Sequence, residues 1–141
     1  MTAVLVAGAI ATWGMVGVIW MVQLVQYPML ATYSQLSPAS AAIEHQRRIT
    51  PLVGPLMATE GITALILLVA RPATMSATSA WVAAALLGVA LASTAFVQVP
   101  LHSRLAAGDD PAAARRLVSG NWIRTVAWTG RGAVLAAVLA T

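Results

Sequence analysis

The chain has 141 residues, 60% of them hydrophobic and only 9% charged, with a formal net charge of +4. A soluble domain carries about 25% charged residues, and a disordered tail needs low hydrophobicity with high charge, so a soluble globular enzyme and a tail are both excluded. The absence of cysteine removes disulfides, iron–sulfur clusters and thiol nucleophiles.

No charge occurs from Met1 to Ile43 or from Pro72 to Ser103, stretches longer than the ~20 residues that cross a hydrocarbon core. A first span is predicted over residues 2–27, ending at Pro28. A polar connector with Ser34, Gln35, Ser37, Pro38 and Ser40 follows, and Ala41 to Ile49 reads as a short interfacial helix. Thr50 reads as an N-cap and Pro51 as the first-turn proline of a second span over residues 51–70. Arg71-Pro72 ends it. A third span over residues 78–99 ends near Pro100 and His102. Asp110 then caps, and Pro111 begins, a second short loop helix carrying Arg115 and Arg116, before a fourth span over residues 121–140. The whole chain, residues 1–141, is expected as one domain. Its fold class is all-α: an integral membrane four-helix bundle, up-down-up-down, with short interfacial helices in loops 1–2 and 3–4.

Arg47, Arg48, Arg104, Arg115 and Arg116 fall in loops on one side of this bundle, against Arg71 on the other. Positive loops stay in the cytoplasm, so the chain is expected in a bacterial inner membrane with both termini outside. No cleavable signal peptide is expected, since the N-terminus lacks a positive n-region. The arginines interleave with apolar runs and form no basic face, so no nucleic-acid partner is expected.

The polar residues inside the spans are not scattered. Trp20, Gln23 and Tyr27 share one face of helix 1, beside Gln26. Glu60 lies in helix 2 after His45 and Arg48; Thr94, Gln98 and His102 recur every four residues in helix 3. Asn121, Arg124, Trp128 and Arg131 form one stripe on helix 4. In an up-down bundle all these half-helices share the leaflet of the arginine-rich loops. A charge at mid-span costs ~2.5–3.5 kcal/mol on insertion scales. Glu60 and Arg131 are therefore expected to approach each other or share a ligand. Arg124 leaves an excess positive charge for an anionic ligand group to neutralise.

Three classes of function stay open; one of them, a proton- or anion-coupled transporter, finds little room for alternating access in a single four-helix bundle unless it dimerises. In a membrane redox enzyme or oxygenase acting on a lipophilic, anion-forming substrate, Glu60 would be general base or proton relay. Arg124 and Arg131 would hold developing negative charge. Gln23, Tyr27, Gln98 and Asn121 would orient the substrate, while Trp20 and Trp128 wall a pocket. His45 and His102 are candidate ligands for haem or a transition metal, although no HxxxH or ExxH spacing accompanies them. In the alternative, a non-catalytic accessory or assembly subunit, the same polar groups would specify the bundle. Gly14, Gly17, Gly130 and Gly132 would then allow close approach of helices, internally, in a homo-oligomer or to another membrane subunit.

The segments LVSGNWIRTVAWTGRG and WMVQLVQYP, with the four-span layout, resemble small four-helix membrane proteins of the anthrone-oxygenase-like family. The resemblance rests mainly on Asn121 to Thr125 and Trp128. It implies a small integral membrane protein, and some members of that family oxidise polycyclic phenolic compounds.

Overall fold

A computed structural model describes residues 1–29, 38–108 and 110–141. Among these residues the chain forms four helices and no strand: α1 (Thr2–Met29), α2 (Pro38–Val69), α3 (Ala77–Ala107) and α4 (Pro111–Leu139). Three stretches are long and apolar enough to cross a membrane: Thr2–Met29, Ala42–Val69 and Ala77–Ala107. The 29-residue α4 has the length, but Asn121, Arg124 and Arg131 reduce its apolarity and are turned inward, where all three are buried. Large apolar side chains cover the outside instead, with Phe96 81% and Val69 89% exposed. Contiguous apolar cover of that kind is avoided in water.

The helices form a ring in which α1 contacts α2 and α4, and α3 contacts α2 and α4. The interior is stacked in three layers. Leu5, Ala9, Leu67, Ala80, Ala83 and Leu135 fill one end. Met15, Ile19, Ala90 and Trp128 fill the middle. Val22, Tyr27, Ala42, Leu101, Leu105 and Leu117 fill the other end, the near side below. The C-terminal parts of α1 and α3 thus meet the N-terminal parts of α2 and α4, as the polar stripes require.

Close approach of α1 to α2 depends on Gly8, where a Cβ would come within 2.9 Å of Thr63 Oγ1. By contrast, Gly17 and Gly54 face open space, so their small size serves no packing purpose within the monomer.

The prolines do not end helices where the sequence suggested. α1 continues through Pro28 to Met29, and α3 continues through Pro100 to Ala107. Each proline follows a wide π-helical turn, Val22–Gln26 in α1 and Thr94–Gln98 in α3. In these turns the N–H of Tyr27 reaches the Val22 carbonyl and the N–H of Val99 reaches the Thr94 carbonyl. A proline ring normally clashes with the carbonyl four residues earlier, and an inserted residue of this type absorbs the distortion. The wide turns also bury Gln23 and Gln98, which both sit within them.

The short helix predicted before Pro51 is part of α2, which runs unbroken across Pro51 and Pro55. Thr50 is no N-cap: its hydroxyl donates back to the Gln46 carbonyl at 2.7 Å, the ordinary back-bond of a threonine inside a helix. Likewise the predicted break near Asn121 is absent, since α4 is continuous from Pro111. The predicted connector residues Ser34, Gln35 and Ser37 lie outside the described residues.

Asp110 does cap α4. Its Oδ1 accepts from the Ala113 N–H at 2.8 Å and its Oδ2 accepts from Arg104. The Ala113 N–H foremost, and then the Arg104 guanidinium, hold this carboxyl below its ordinary value. A lowered acid stabilises the fold above its unfolded pKa and loses that contribution as pH falls through the folded value. The thermal midpoint of Asp110→Asn is therefore expected to lie below wild type at neutral pH. The gap should close on acidification below the ordinary aspartate range, and a gap unchanged by pH would refute the assignment.

Candidate functional site

The predicted polar residues separate into two groups. The deeper one lies at mid-bundle and is closed except for Arg131 Nη2, which finds no partner among the described residues. Glu60 from α2 and Arg131 from α4 face each other across the ring, with Nε and Oε1 3.4 Å apart and side chains 0% and 1% exposed. Thr12 of α1 bridges them: its hydroxyl donates to Glu60 Oε1 at 2.7 Å and accepts from Arg131 Nε at 3.0 Å. Trp128 Nε1 donates to Glu60 Oε2 at 2.9 Å, and Arg131 Nη1 donates to the Ala83 carbonyl of α3 at 2.7 Å. One charge pair therefore ties all four helices at one level. The expected approach of Glu60 and Arg131 is what the structure contains. Thr12 was missed, because a threonine in an apolar helix ordinarily bonds to its own backbone. Only its register, facing Glu60, sets it apart.

The second group surrounds a pocket of about 200 Å³ on the near side. Met15, Ile19, Val22 and Val53 supply apolar walls, and Tyr27, Gln98, His102 and Arg124 supply polar ones. Tyr27 Oη lies 3.1 Å from His102 Nε2. The His45 ring stacks on His102 at 5.4 Å between centroids, and Tyr27 is edge-on to both. The Arg124 guanidinium lies 5.3 Å from the centre of the Trp128 ring. A polar chain holds it from behind: Arg124 Nη1 donates to Asn121 Oδ1 at 3.2 Å, Asn121 Nδ2 to Gln23 Oε1 at 2.9 Å, and Gln23 Nε2 to the Val118 carbonyl at 3.3 Å. Gly120 makes room for the Gln98 amide, since a Cβ there would come within 3.3 Å of Nε2.

Several buried polar atoms around this pocket find no protein partner among the described residues: Gln98 Oε1 and Nε2, His102 Nδ1 and Arg124 Nε. Buried polar groups are nearly always satisfied, so four on residues lining one pocket mark it as a place for a polar ligand. Among the described residues no carboxylate pairs with Arg124 either. Glu44 pairs with Arg47 and Arg48, Glu60 with Arg131 and Asp110 with Arg104, while Asp109 lies outside the described residues.

Of the residues expected to bind a substrate, Tyr27 and Gln98 line the pocket with Arg124 and His102. Gln23 and Asn121 stand behind Arg124 and orient it. Trp128 is fully buried against Glu60. Trp20 is 37% exposed, donates to Thr129 Oγ1 and meets Trp122 edge-on, away from the pocket. It therefore does not wall the pocket as expected, because its side chain turns outward while Gln23 and Tyr27 turn inward. His45 and His102 do come together, as stacked rings. Among the described residues no group of three His, Cys, Asp or Glu side chains is placed to hold a metal ion. The chain matches no protein-family model, no curated protein and no solved structure, so the geometry of these two sites alone carries the functional reading.

Proposed function

We propose that this chain is a multi-pass membrane protein whose near-side pocket binds a lipophilic, anion-forming small molecule. In this reading all four helices cross the bilayer in alternating directions, and the arginine-rich connections lie on the cytoplasmic side. The observation that carries it is the cluster of buried, unmatched polar atoms around an uncompensated Arg124 in an apolar pocket. Arg124 holds the ligand's negative charge in a low-dielectric setting, where such contacts are strongest. The Tyr27–His102 pair receives or returns a proton. Glu60 serves a different purpose: it is enclosed by Thr12, Trp128 and Arg131 and does not line the pocket.

A membrane oxidoreductase or oxygenase, using an oxidant such as dioxygen that the chain itself does not supply, is the enzyme class proposed for this site. To test the reading, the protein is purified in mild detergent, extracted and examined by mass spectrometry. Wild type is expected to yield a stoichiometric acidic lipophile, and Arg124→Gln several-fold less. Equal yields from the two, or none from wild type, would overturn it. A Soret band or stoichiometric transition metal in the same sample, lost in His102→Ala, would add a redox group at the paired histidines.

An accessory-subunit role is favoured by one observation, the closure of the Glu60–Arg131 cluster. A stoichiometric membrane partner that co-purifies in place of a small molecule would establish it.

A further inference from the structure

The pocket also specifies the chemistry of the group it holds, which deepens the reading above and rests on it. The key is the set of unmatched donors and acceptors on the pocket wall. A guanidinium can only donate, and Arg124 Nε–H finds no partner among the described residues. The Gln98 amide offers an unmatched NH2 donor and an unmatched Oε1 acceptor. His102 Nε2 lies 3.1 Å from the Tyr27 hydroxyl, and its unmatched Nδ1 donates or accepts according to the tautomer.

A plain carboxylate or phenolate only accepts. It would answer the Arg124 and Gln98 donors and the positive charge but leave Gln98 Oε1 buried without a proton, a costly outcome for a desolvated acceptor. A neutral alcohol would answer Gln98 but leave the guanidinium uncompensated. The amide of Gln98 presents its acceptor and its donor side by side, and so matches a hydroxyl next to an oxyanion. We infer that the pocket recognises a monoanionic hydroxy acid: a carboxylate set against Arg124 and the Gln98 NH2, with a neighbouring hydroxyl that donates to Gln98 Oε1. The apolar remainder packs along Met15, Ile19, Val22 and Val53. At about 200 Å³ the pocket is smaller than the ~300–1,000 Å³ that enclose a drug-sized ligand. It therefore takes a short molecule, or the head and first carbons of a longer amphiphile.

A matched pair of probes tests this: 2-hydroxydecanoate and decanoate, titrated by calorimetry against the full chain in lipid nanodiscs, with empty nanodiscs as the baseline. The hydroxy acid is expected to bind roughly tenfold more tightly, the size of one well-made hydrogen bond to a buried group. Gln98→Leu should remove the difference between the two acids. Equal affinities in wild type overturn the hydroxy-acid assignment while leaving the anion pocket standing. A preference that survives undiminished in Gln98→Leu also overturns it, because the discriminating group is then elsewhere. Failure of both acids to bind above the empty-disc baseline overturns this inference and the anion-pocket reading together. The wild-type comparison alone decides the matter if the variant does not fold.

Discussion

Arg131→Leu is expected to lower the unfolding midpoint in detergent steeply, at a cost of about 3–5 kcal/mol. The guanidinium holds Glu60 and Thr12 and reaches the Ala83 carbonyl, with 1% of its side chain exposed. Leucine leaves the Glu60 carboxylate in the bundle centre with only the Thr12 and Trp128 donors. Much of the cost of breaking such a pair is the charge left behind, so removing both partners should be milder than removing one. Glu60→Leu/Arg131→Leu is thus expected to unfold above Arg131→Leu, with a coupling energy visible in a double-mutant cycle. If Arg131→Leu unfolds within ~0.5 kcal/mol of wild type, or the double variant is simply the sum of the singles, the pair is not the central fastening described here.

Trp128→Leu is expected to damage both halves of the molecule at once. Trp128 is fully buried, and truncating a large buried aromatic costs about 3–5 kcal/mol. It also removes the donor to Glu60 Oε2 and the ring face beneath Arg124. Trp128→Phe separates these effects. It keeps an aromatic face under Arg124 but loses the N–H, a hydrogen bond to a charged acceptor worth ~1.5–3 kcal/mol. Phenylalanine should therefore destabilise the fold while retaining most of the pocket ligand, whereas leucine loses both. Thermal unfolding and ligand recovery from the same preparations measure the two effects. Equal ligand loss in the two variants would show that the ring face does not support Arg124.

The helical class, the number of helices and the gathering of polar groups at one end were legible in the sequence. Charge-free runs and i, i+3, i+7 stripes constrain exactly those properties of a helical chain. The approach of Glu60 to Arg131 followed from charge: each is expensive alone in an apolar interior. Depth and rotation within a face were less legible. Spacing assigns Trp20 and Trp128 to polar faces, yet one turns to the outside against Thr129 and the other to the centre against Glu60. The same uncertainty joined Glu60 to the substrate residues, although Met15, about one turn beyond Thr12 on α1, lines the pocket and the Glu60 cluster does not. The helix end was misplaced at Pro100, and the start expected at Pro51 lies inside a longer helix. A proline predicts a lost hydrogen bond, while the wide turn before Pro100 absorbs the distortion with residues of no distinctive signature.

The three-helix origin of Arg131's partners bears on how such a chain is made. In the proposed four-span arrangement, α4 follows the other three helices in the chain and is the least able to partition into lipid by itself, since Arg124 and Arg131 each oppose insertion by ~2.5–3.5 kcal/mol near mid-span. Thr12, Glu60 and the Ala83 carbonyl all precede it in the chain. The first three helices thus form a receptor for the fourth, which is admitted by complementarity and not by its own apolarity. In that arrangement, insertion and tertiary assembly of α4 become a single step, and a nascent chain stalled before Arg131 holds an acid still waiting for its base.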